Sequence, residues 1–404
     1  ACPKCGSTDL KKVGLGKKSI VYEYIPARFE RQVHFQETLA CSCGECVIVA
    51  DGPTRPIEGG HYGPGLIAHL VTAKCADSMP IYRLAKAYRR EGIPVARTTM
   101  GDLFHAAARE LQPLWERLLV LIAQGELVLA DETPIRVLDA GKTRKGYLWT
   151  FRSAPSAVGG ALVGYCFSPT RSGDTPTRVL GGTRGSLMVD GFTGYNRVTL
   201  PEGRIRVGCW AHARRDVFDA LKTAPEAQEL LDLNLELYKV EYEAKDQGIT
   251  GTQGHLELRR TRSAKLTADI KAWLEAQKPK HLPKSPLGAA IGYLLGQWLP
   301  LNRFLENASL PLDNNASEGS LRVPVLGRNY AESPIMRSAS LVAVAAGGPT
   351  LRIIRDVEET PPTAAFPAVV ICEPLVNAGG RARVSSFQDR HRGTDGWSRC
   401  SHGQ

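Results

Sequence analysis

At Glu126 the hydrophobic period of this chain changes, and that change restricts its fold more than any other feature. From Leu66 to about Gln124 apolar residues recur at helical spacing, broken at Pro80 and at Gly92 to Pro94. From Glu126 onward come short runs rich in β-branched and aromatic residues: Leu127-Val128-Leu129-Ala130, Tyr147 to Phe151, Ala161 to Phe167 and Ser186 to Val189. Three strands in succession, then a fourth after a helical or looped stretch, predict a mixed α/β sheet. A further short strand near Ile205 to Gly208 leads into helix from Trp210. Residues 211–306 then read as almost wholly helical, with breaks at Gln247 to Gly254 and at Pro279 to Pro286.

A chain of 404 residues, 43% hydrophobic, can bury a sizeable core in two or three domains. Lys and Arg exceed Asp and Glu by 10 charges, which suits a polyanionic partner. No apolar run approaches the roughly 20 residues that cross a bilayer, and no secretory pattern opens the sequence, so a cytoplasmic protein is expected. Because it starts at Ala1 without a methionine, further residues upstream are also expected. The organisation read from these signals is a small β-rich module over residues 1–50 and a Gly/Pro-rich linker over 51–65. A helical region follows over 66–125, then a mixed core over 126–330 with a helical insertion at about 220–306. The tail at 331–404, poor in aromatics and without sustained periodicity, is expected to be poorly ordered.

Half of the ten cysteines crowd the first module. Cys2-Pro-Lys-Cys5-Gly6 is a knuckle in which two thiolates two residues apart grip one zinc above a glycine turn. Cys41-Ser-Cys43-Gly-Glu-Cys46 offers three thiols where tetrahedral zinc needs two. Cys43 and Cys46 reproduce the two-residue gap, with Cys41 as the alternative ligand. Such a site would be structural, since four sulfurs leave no open position; buried or free cysteines are the competing reading.

Ile81 to Arg90 is a basic amphipathic segment ending at Glu91-Gly92-Ile93-Pro94, and a second helix is expected near Thr98 or Thr99, either of which can cap it. The layout resembles helix-turn-helix. Arg83, Lys86, Arg89, Arg90 and Arg97 could meet DNA phosphates while the second helix addresses a groove. The alternative is a helical hairpin with a solvated basic face.

Two acids terminate apolar strands: Asp131 after Leu127-Val-Leu-Ala, and Asp190 after Leu187-Met-Val. Acids so anchored on adjacent strands can share Mg²⁺ ions about 3.5 to 4 Å apart, the arrangement that serves phosphoryl transfer. Glu318, in Leu312-Asp-Asn-Asn-Ala-Ser-Glu318-Gly-Ser-Leu-Arg322, is the third candidate. There Asp313 or Asn314 can cap a helix presenting Glu318 and Arg322 one turn apart. Taken singly, each acid is more simply a cap or a solvated charge.

Five blocks change that weighting: His61-Tyr-Gly-Pro-Gly-Leu-Ile-Ala-His, Ala130-Asp-Glu-Thr-Pro, Val189-Asp-Gly-Phe-Thr-Gly-Tyr-Asn196, Cys209-Trp-Ala-His-Ala-Arg-Arg215, and Asp313-Asn-Asn-Ala-Ser-Glu318 through Leu321-Arg322. In this order they resemble the successive blocks of insertion-sequence-66 family transposases, from residue 1 to about Asn329. The resemblance implies a zinc-binding module, a helical DNA-binding region and a ribonuclease-H-like catalytic core. Its Asp, Asp, Glu triad falls on Asp131, Asp190 and Glu318, using two Mg²⁺ or Mn²⁺ ions. It implies cleavage at the element's ends and attack of the freed 3′-hydroxyl on target DNA. It also implies terminal repeats and target DNA as partners, met by His212, Arg214, Arg215 and Arg322 besides the basic helix, with a homo-oligomer on DNA and accessory proteins of the element as further partners. Cys209 and His212 match a Cys-x-x-His element; a packed thiol with a histidine against DNA or an acid is preferred there over a second zinc site.

Gly327-Arg328-Asn329-Tyr330 departs from the family's pattern, which suggests a reading-frame change near Arg328. The rival to a working transposase is therefore a catalytically inactive DNA-binding remnant. A second rival is a nuclease of the same core fold that cuts without joining.

Overall fold

The computed structural model describes residue 8 and residues 28–40, 47–57, 60–139, 142–155, 160–199 and 202–328. Cys2, Cys5, Cys41, Cys43 and Cys46, the reading-frame change expected beyond Arg328 and the tail from Ala331 all fall outside the described residues. Two short antiparallel strands, β1 (Thr38–Ala40) and β2 (Val47–Val49), flank the second cysteine cluster. Phe29 to Val33, an alternating stretch within the module read as β-rich, is irregular. Tertiary packing overrides its alternation, for the Phe29 ring lies edge-on to Tyr88 with centroids 4.8 Å apart.

Three helices follow: α1 (Pro64–Cys75), α2 (Ile81–Arg90) and α3 (Arg97–Ala123). The breaks fall where Pro80 precedes α2 and where Gly92, at φ 83°, takes a conformation that L side chains resist. Contrary to expectation, neither Thr98 nor Thr99 caps α3. The helix starts at Arg97, and Ala96 holds the cap position without a side-chain bond. Buried Val95 and Met100 anchor the chain on either side of this start and set its phase. A stripe of Met100, Leu103, Phe104, Ala107, Trp115, Leu118 and Ile122 then carries α3 through the layer and under the sheet.

The central sheet has the order β5-β4-β3-β6-β7. Strands β3 (Leu127–Asp139), β4 (Lys142–Ser153) and β5 (Val163–Ser168) form an antiparallel meander. The chain then crosses through α4 (Asp174–Leu180) to β6 (Ser186–Met188), which pairs parallel with β3. After α5 (Asn196–Thr199), β7 (Ile205–Val207) pairs parallel with β6. β3 runs well past the apolar stretch read as a strand, so Asp131 lies within it rather than after it. Hydrogen bonding to β4 continues down the hairpin where apolar alternation has stopped.

Arg204 is fully buried at the base of this sheet. Its guanidinium donates to the carbonyls of Ala123, Gly125, Arg184 and Ser186 and to Thr183 Oγ1, tying the end of α3 to the starts of β3 and β6. Lone carbonyls at the C-terminus of a helix present partial negative charge, which suits a cation that stays protonated.

The other face of the sheet is covered by helices: α6 (Trp210–Ala220), α7 (Ala227–Asp246), α8 (Gln253–Leu258) leading through a π-type stretch at Arg259–Ser263 into α9 (Ala264–Gln277), α10 (Pro286–Gly296), α11 (Trp298–Asn302) and α12 (Asn315–Arg328). Their core joins Leu127, Leu129 and Met188 of the sheet to Cys209, Trp210, Leu230, Leu237, Ile291 and Leu294. Among the described residues no helix is long and apolar enough to cross a membrane.

Candidate active site

Strand alternation distributes the acids. Leu127 and Leu129 face the α6–α10 core, whereas Val128 and Ala130 face the α3 core. Continuing the period of two puts Asp131 on the first face and Glu132 on the second. Met188 and Val189 divide in the same way, which puts Asp190 with Met188. Leu129 pairs with Met188, so two residues further along each chain Asp131 and Asp190 come level. The parallel pairing ends at that rung, leaving both acids at the open end of the sheet.

Glu318 arrives from α12. Asn314, fully buried, donates its side-chain amide to the Ala130 carbonyl at 2.9 Å and its backbone N–H to Cys209 Sγ at 3.2 Å. The helix start is shared between the two residues that could cap it: Asp313 Oδ1 accepts the Asn315 N–H, and the Asn314 carbonyl accepts those of Ser317 and Glu318. Glu318 Oε1 lies 3.5 Å from His212 Nδ1, and Oε2 lies 3.5 Å from Arg215 Nη2. Glu318 Oε1 is nevertheless buried without a hydrogen-bond donor.

Burial, followed by the negative charges of Glu132, Glu318 and Asp190, pushes the Asp131 carboxyl up to about 7, opposed by the Glu132 N–H that Oδ1 accepts at 2.8 Å. The raised Asp131 carboxyl, Asp190 level with it and the Glu318 oxygen that lacks any donor offer a hard-oxygen set that fits Mg²⁺ or Mn²⁺.

The loop after Asp190 is held from several sides. Its Oδ1 accepts the Phe192 N–H at 3.0 Å, and Arg206 Nη2 donates to the carbonyls of Asp190 and Phe192 at 2.6 and 2.7 Å. Tyr293 of α10 donates nothing here but accepts the Gly191 N–H at 3.1 Å; a Cβ on Gly191 would fall 2.5 Å from its ring. Tyr195, fully buried, donates to Glu132 Oε2 at 2.8 Å. Glu132, 2% exposed, also receives Arg171 through Nε at 2.7 Å and Nη2 at 2.6 Å, and the Arg171 guanidinium lies 4.2 Å from the Phe192 ring centre. Burial raises the Glu132 carboxyl while these donors lower it.

Cys209 is a packed thiol pushed up to about 12 by burial, and His212 faces an acid, in keeping with the preferred reading of that pair. Cys209, His212 and Glu318 nonetheless bring their ligand atoms within 4.8 Å of one another. Arg83, Lys86, Arg89, Arg90 and Arg97 stand on α2 and the first turn of α3, in the helical layer, and all are exposed. Arg214, Arg215 and Arg322 are exposed on α6 and α12, beside the acids' face. Sequence reading missed Glu132, Arg171, Arg206 and Tyr293, and took Asn314 only as a candidate helix cap. Of these, Glu132 had a usable signal, since adjacent acids on a strand must face opposite sides.

Two family comparisons bear on this chain. Residues 59–333 match the transposase IS66 family, and residues 1–44 match the zinc-finger binding domain of transposase IS66. The chain therefore belongs to the IS66 family of transposases. The zinc-finger match takes in Cys2, Cys5, Cys41 and Cys43 and stops before Cys46. Relatives in Sinorhizobium fredii include the uncharacterized protein y4jD, 32% identical over 88% of this chain, and the uncharacterized protein y4qI, 30% identical over 79%. The chain spans 70% of the length of the first and 61% of the second.

Proposed function

We propose that the chain is a working transposase that cleaves phosphodiesters at the ends of an insertion sequence and joins the freed 3′-hydroxyl to target DNA, with no covalent protein intermediate. Asp131, Asp190 and Glu318 are its catalytic carboxylates and would hold two Mg²⁺ or Mn²⁺ ions. The observation that carries this reading is that Asp131 and Asp190 come level at the ends of the β3–β6 pairing while Asn314, at the start of the Glu318 helix, bonds to Ala130 beside Asp131. The sheet order, an antiparallel meander extended by two parallel strands, supports a ribonuclease-H-like core over residues 126–330. The bound ions would activate the attacking oxygen and steady the leaving one.

The protein's own part is placement. The sheet end fixes Asp131 and Asp190, Arg206 and Tyr293 hold the Asp190 loop, and Asn314 fixes the helix that carries Glu318. His212 and Arg215 lie against Glu318, and Arg215, with Arg214 and Arg322, offers positive charge to the DNA strand being cut, which His212 also meets. Arg83, Lys86, Arg89, Arg90 and Arg97 are proposed to bind DNA from the 66–125 region. Structural zinc is proposed for Cys2, Cys5, Cys43 and Cys46, with Cys41 as the alternative. Two ends must be held together, so a homo-oligomer on DNA is part of the proposal.

The test is Mg²⁺-dependent cleavage and joining on a plasmid carrying both ends of the parent element, with Asp131→Ala as control. Joined products that vanish in the variant support the proposal. Binding without products from either protein would establish the inactive remnant instead, and cleavage without joining would establish a nuclease.

A further inference from the structure

Cys209, His212 and Glu318 converge from two helices. Cys209 holds the cap position of α6, and His212, three residues on, returns to the same side of the first turn. Asn314 brings α12 across them: its backbone N–H meets Cys209 Sγ at 3.2 Å, and Glu318 follows onto His212. The Cys-x-x-His pair alone offers two ligand atoms, and the fold adds a third.

These three ligand atoms lie within 4.8 Å of one another. His212 Nδ1 and Glu318 Oε1 are 3.5 Å apart, both buried, and neither has a hydrogen-bond partner. Two ligands each roughly 2.0–2.1 Å from a tetrahedral ion stand about 3.3 Å apart, so this edge is already close to coordination length. A sulfur completes such a set at about 3.6 Å from either, which Cys209 reaches by a small side-chain rotation. The sulfur is prepared for it, since the N–H groups of Ala211, His212 and Asn314 all donate to Sγ and favour a thiolate. Arg215 takes the other Glu318 oxygen, Oε2, and leaves Oε1 facing the histidine. Asp313 and Asp216 act through their charge on Cys209 and His212, adding to the negative surroundings. Sulfur, imidazole nitrogen and a single carboxylate oxygen are a set that selects a thiophilic ion over Mg²⁺.

We propose that Cys209, His212 and Glu318 bind Zn²⁺ or a similarly thiophilic divalent cation, at a site separate from the cysteine module and in competition with Mg²⁺ for Glu318. The competition, though not the site, rests on the reading of Glu318 as catalytic. Coordination needs the thiolate, so the incoming ion displaces the Cys209 proton to solvent. Three protein ligands and a proton to expel make an exchangeable site, filled by added ion and emptied during purification. Zinc there holds Glu318 toward α6 and switches cleavage off.

The probe is Co²⁺ added to the full-length protein as purified, read by the thiolate-to-cobalt absorption band in the near ultraviolet. The unmodified protein should show the band, and added Zn²⁺ should abolish it. Cys209→Ser should lack it, and His212→Gln should bind Co²⁺ roughly tenfold more weakly or worse. Melting temperatures of both variants are checked first, and His212→Gln keeps the test open if Cys209→Ser does not fold. No band, a band that survives Cys209→Ser, or an unchanged affinity in His212→Gln overturns the site. Plasmid cleavage in Mg²⁺ is then followed with Zn²⁺ at ten times the dissociation constant found by cobalt displacement. Cleavage by the unmodified protein should fall about tenfold, whereas Cys209→Ser should cleave as before and escape the inhibition. Equal inhibition of the two, or none of either, overturns the competition for Glu318. A cobalt band that obeys the variants, with no cleavage by any of the proteins, upholds the site and removes the catalytic reading.

Discussion

The side-chain amide of Asn314 donates to the carbonyl oxygen of Ala130 at 2.9 Å, across 184 residues of sequence. This bond ties the start of the helix bearing Glu318 to the strand bearing Asp131, beside the Asn314 N–H on Cys209 and the packing of Leu321 with Ile135. Asn314→Ala leaves a buried carbonyl without its donor, at a cost of about 1–3 kcal/mol. It should also weaken Mg²⁺ binding by letting α12 shift. Urea unfolding with and without Mg²⁺ separates the two effects: a loss of stability that Mg²⁺ fully restores would argue against a role in placing Glu318.

In the metal-free protein the Asp131 carboxyl keeps its proton up to about pH 7, whereas an unfolded chain releases it near 3.8. The folded state then binds more protons in this window, so stability falls as pH rises from about 4 to about 7 and stays lowered above. Asp131→Asn removes that dependence. Without divalent cations the variant should be the more stable protein at pH 8 by about 1–3 kcal/mol, after allowance for solvent screening, and the gap should close as pH falls toward 4. Melting curves across pH report it, and a gap that is constant with pH would exclude the elevated carboxyl.

Glu132→Ala strips the buried Tyr195 hydroxyl of its acceptor and leaves Arg171 without its partner. We expect a loss of about 1–3 kcal/mol, mostly from the orphaned hydroxyl. Adding Tyr195→Phe should then cost little more, because the two groups form one unit. Urea unfolding of the single and double variants checks the coupling, and strictly additive losses would refute it.

Gly191→Ala drives a methyl group into the ring of Tyr293, whose hydroxyl also accepts the Gly191 N–H. The Asp190 loop has to move, and cleavage should fall by at least tenfold. Tyr293→Leu, by opening space, should restore part of the activity to the double variant although it removes the hydroxyl. Rates of cleavage on the same plasmid give the answer.

Zinc content of purified protein should be one ion per chain. Serine substitution of Cys2 or Cys5 should lower it, and among Cys41, Cys43 and Cys46 one substitution should leave it unchanged. Metal analysis of the single variants identifies which two thiols bind. Full zinc in all five would dispose of the site.

Much of the scaffold was legible because hydrophobic period is a local signal. The helices before Gln124, their breaks at Pro80 and Gly92, and the strand cores after Glu126 stand near the positions read from sequence. The outer half of β3 was not legible, since Pro134, Arg136 and the residues around them have no apolar alternation and pair only because β4 is bound beside them. Asp131 and Asp190 were readable from the strands they terminate or interrupt. Glu318 stood out only through the resemblance of its block, because its proximity to Asp131 depends on a long-range bond from Asn314. Glu132 was passed over because an acid beside an acid in sequence reads as solvated charge, whereas the pleat turns it into the opposite core. Arg204 could not have been found either: all its partners but Thr183 Oγ1 are main-chain carbonyls, which leave no mark on side-chain sequence.

The order in which the acids leave the ribosome has its own consequence under the proposed chemistry. Asp131 and Asp190 emerge with the sheet, but the helix that brings Glu318 follows only after the whole α6–α11 layer has been made. At about 5–20 residues per second, that interval lasts roughly 6 to 26 seconds. During it the nascent chain presents basic helices and two of the three carboxylates, and so can touch DNA before it can cut it. Under that chemistry a polypeptide aborted anywhere in that stretch lacks the third acid, and scission is confined to chains whose synthesis has passed Glu318.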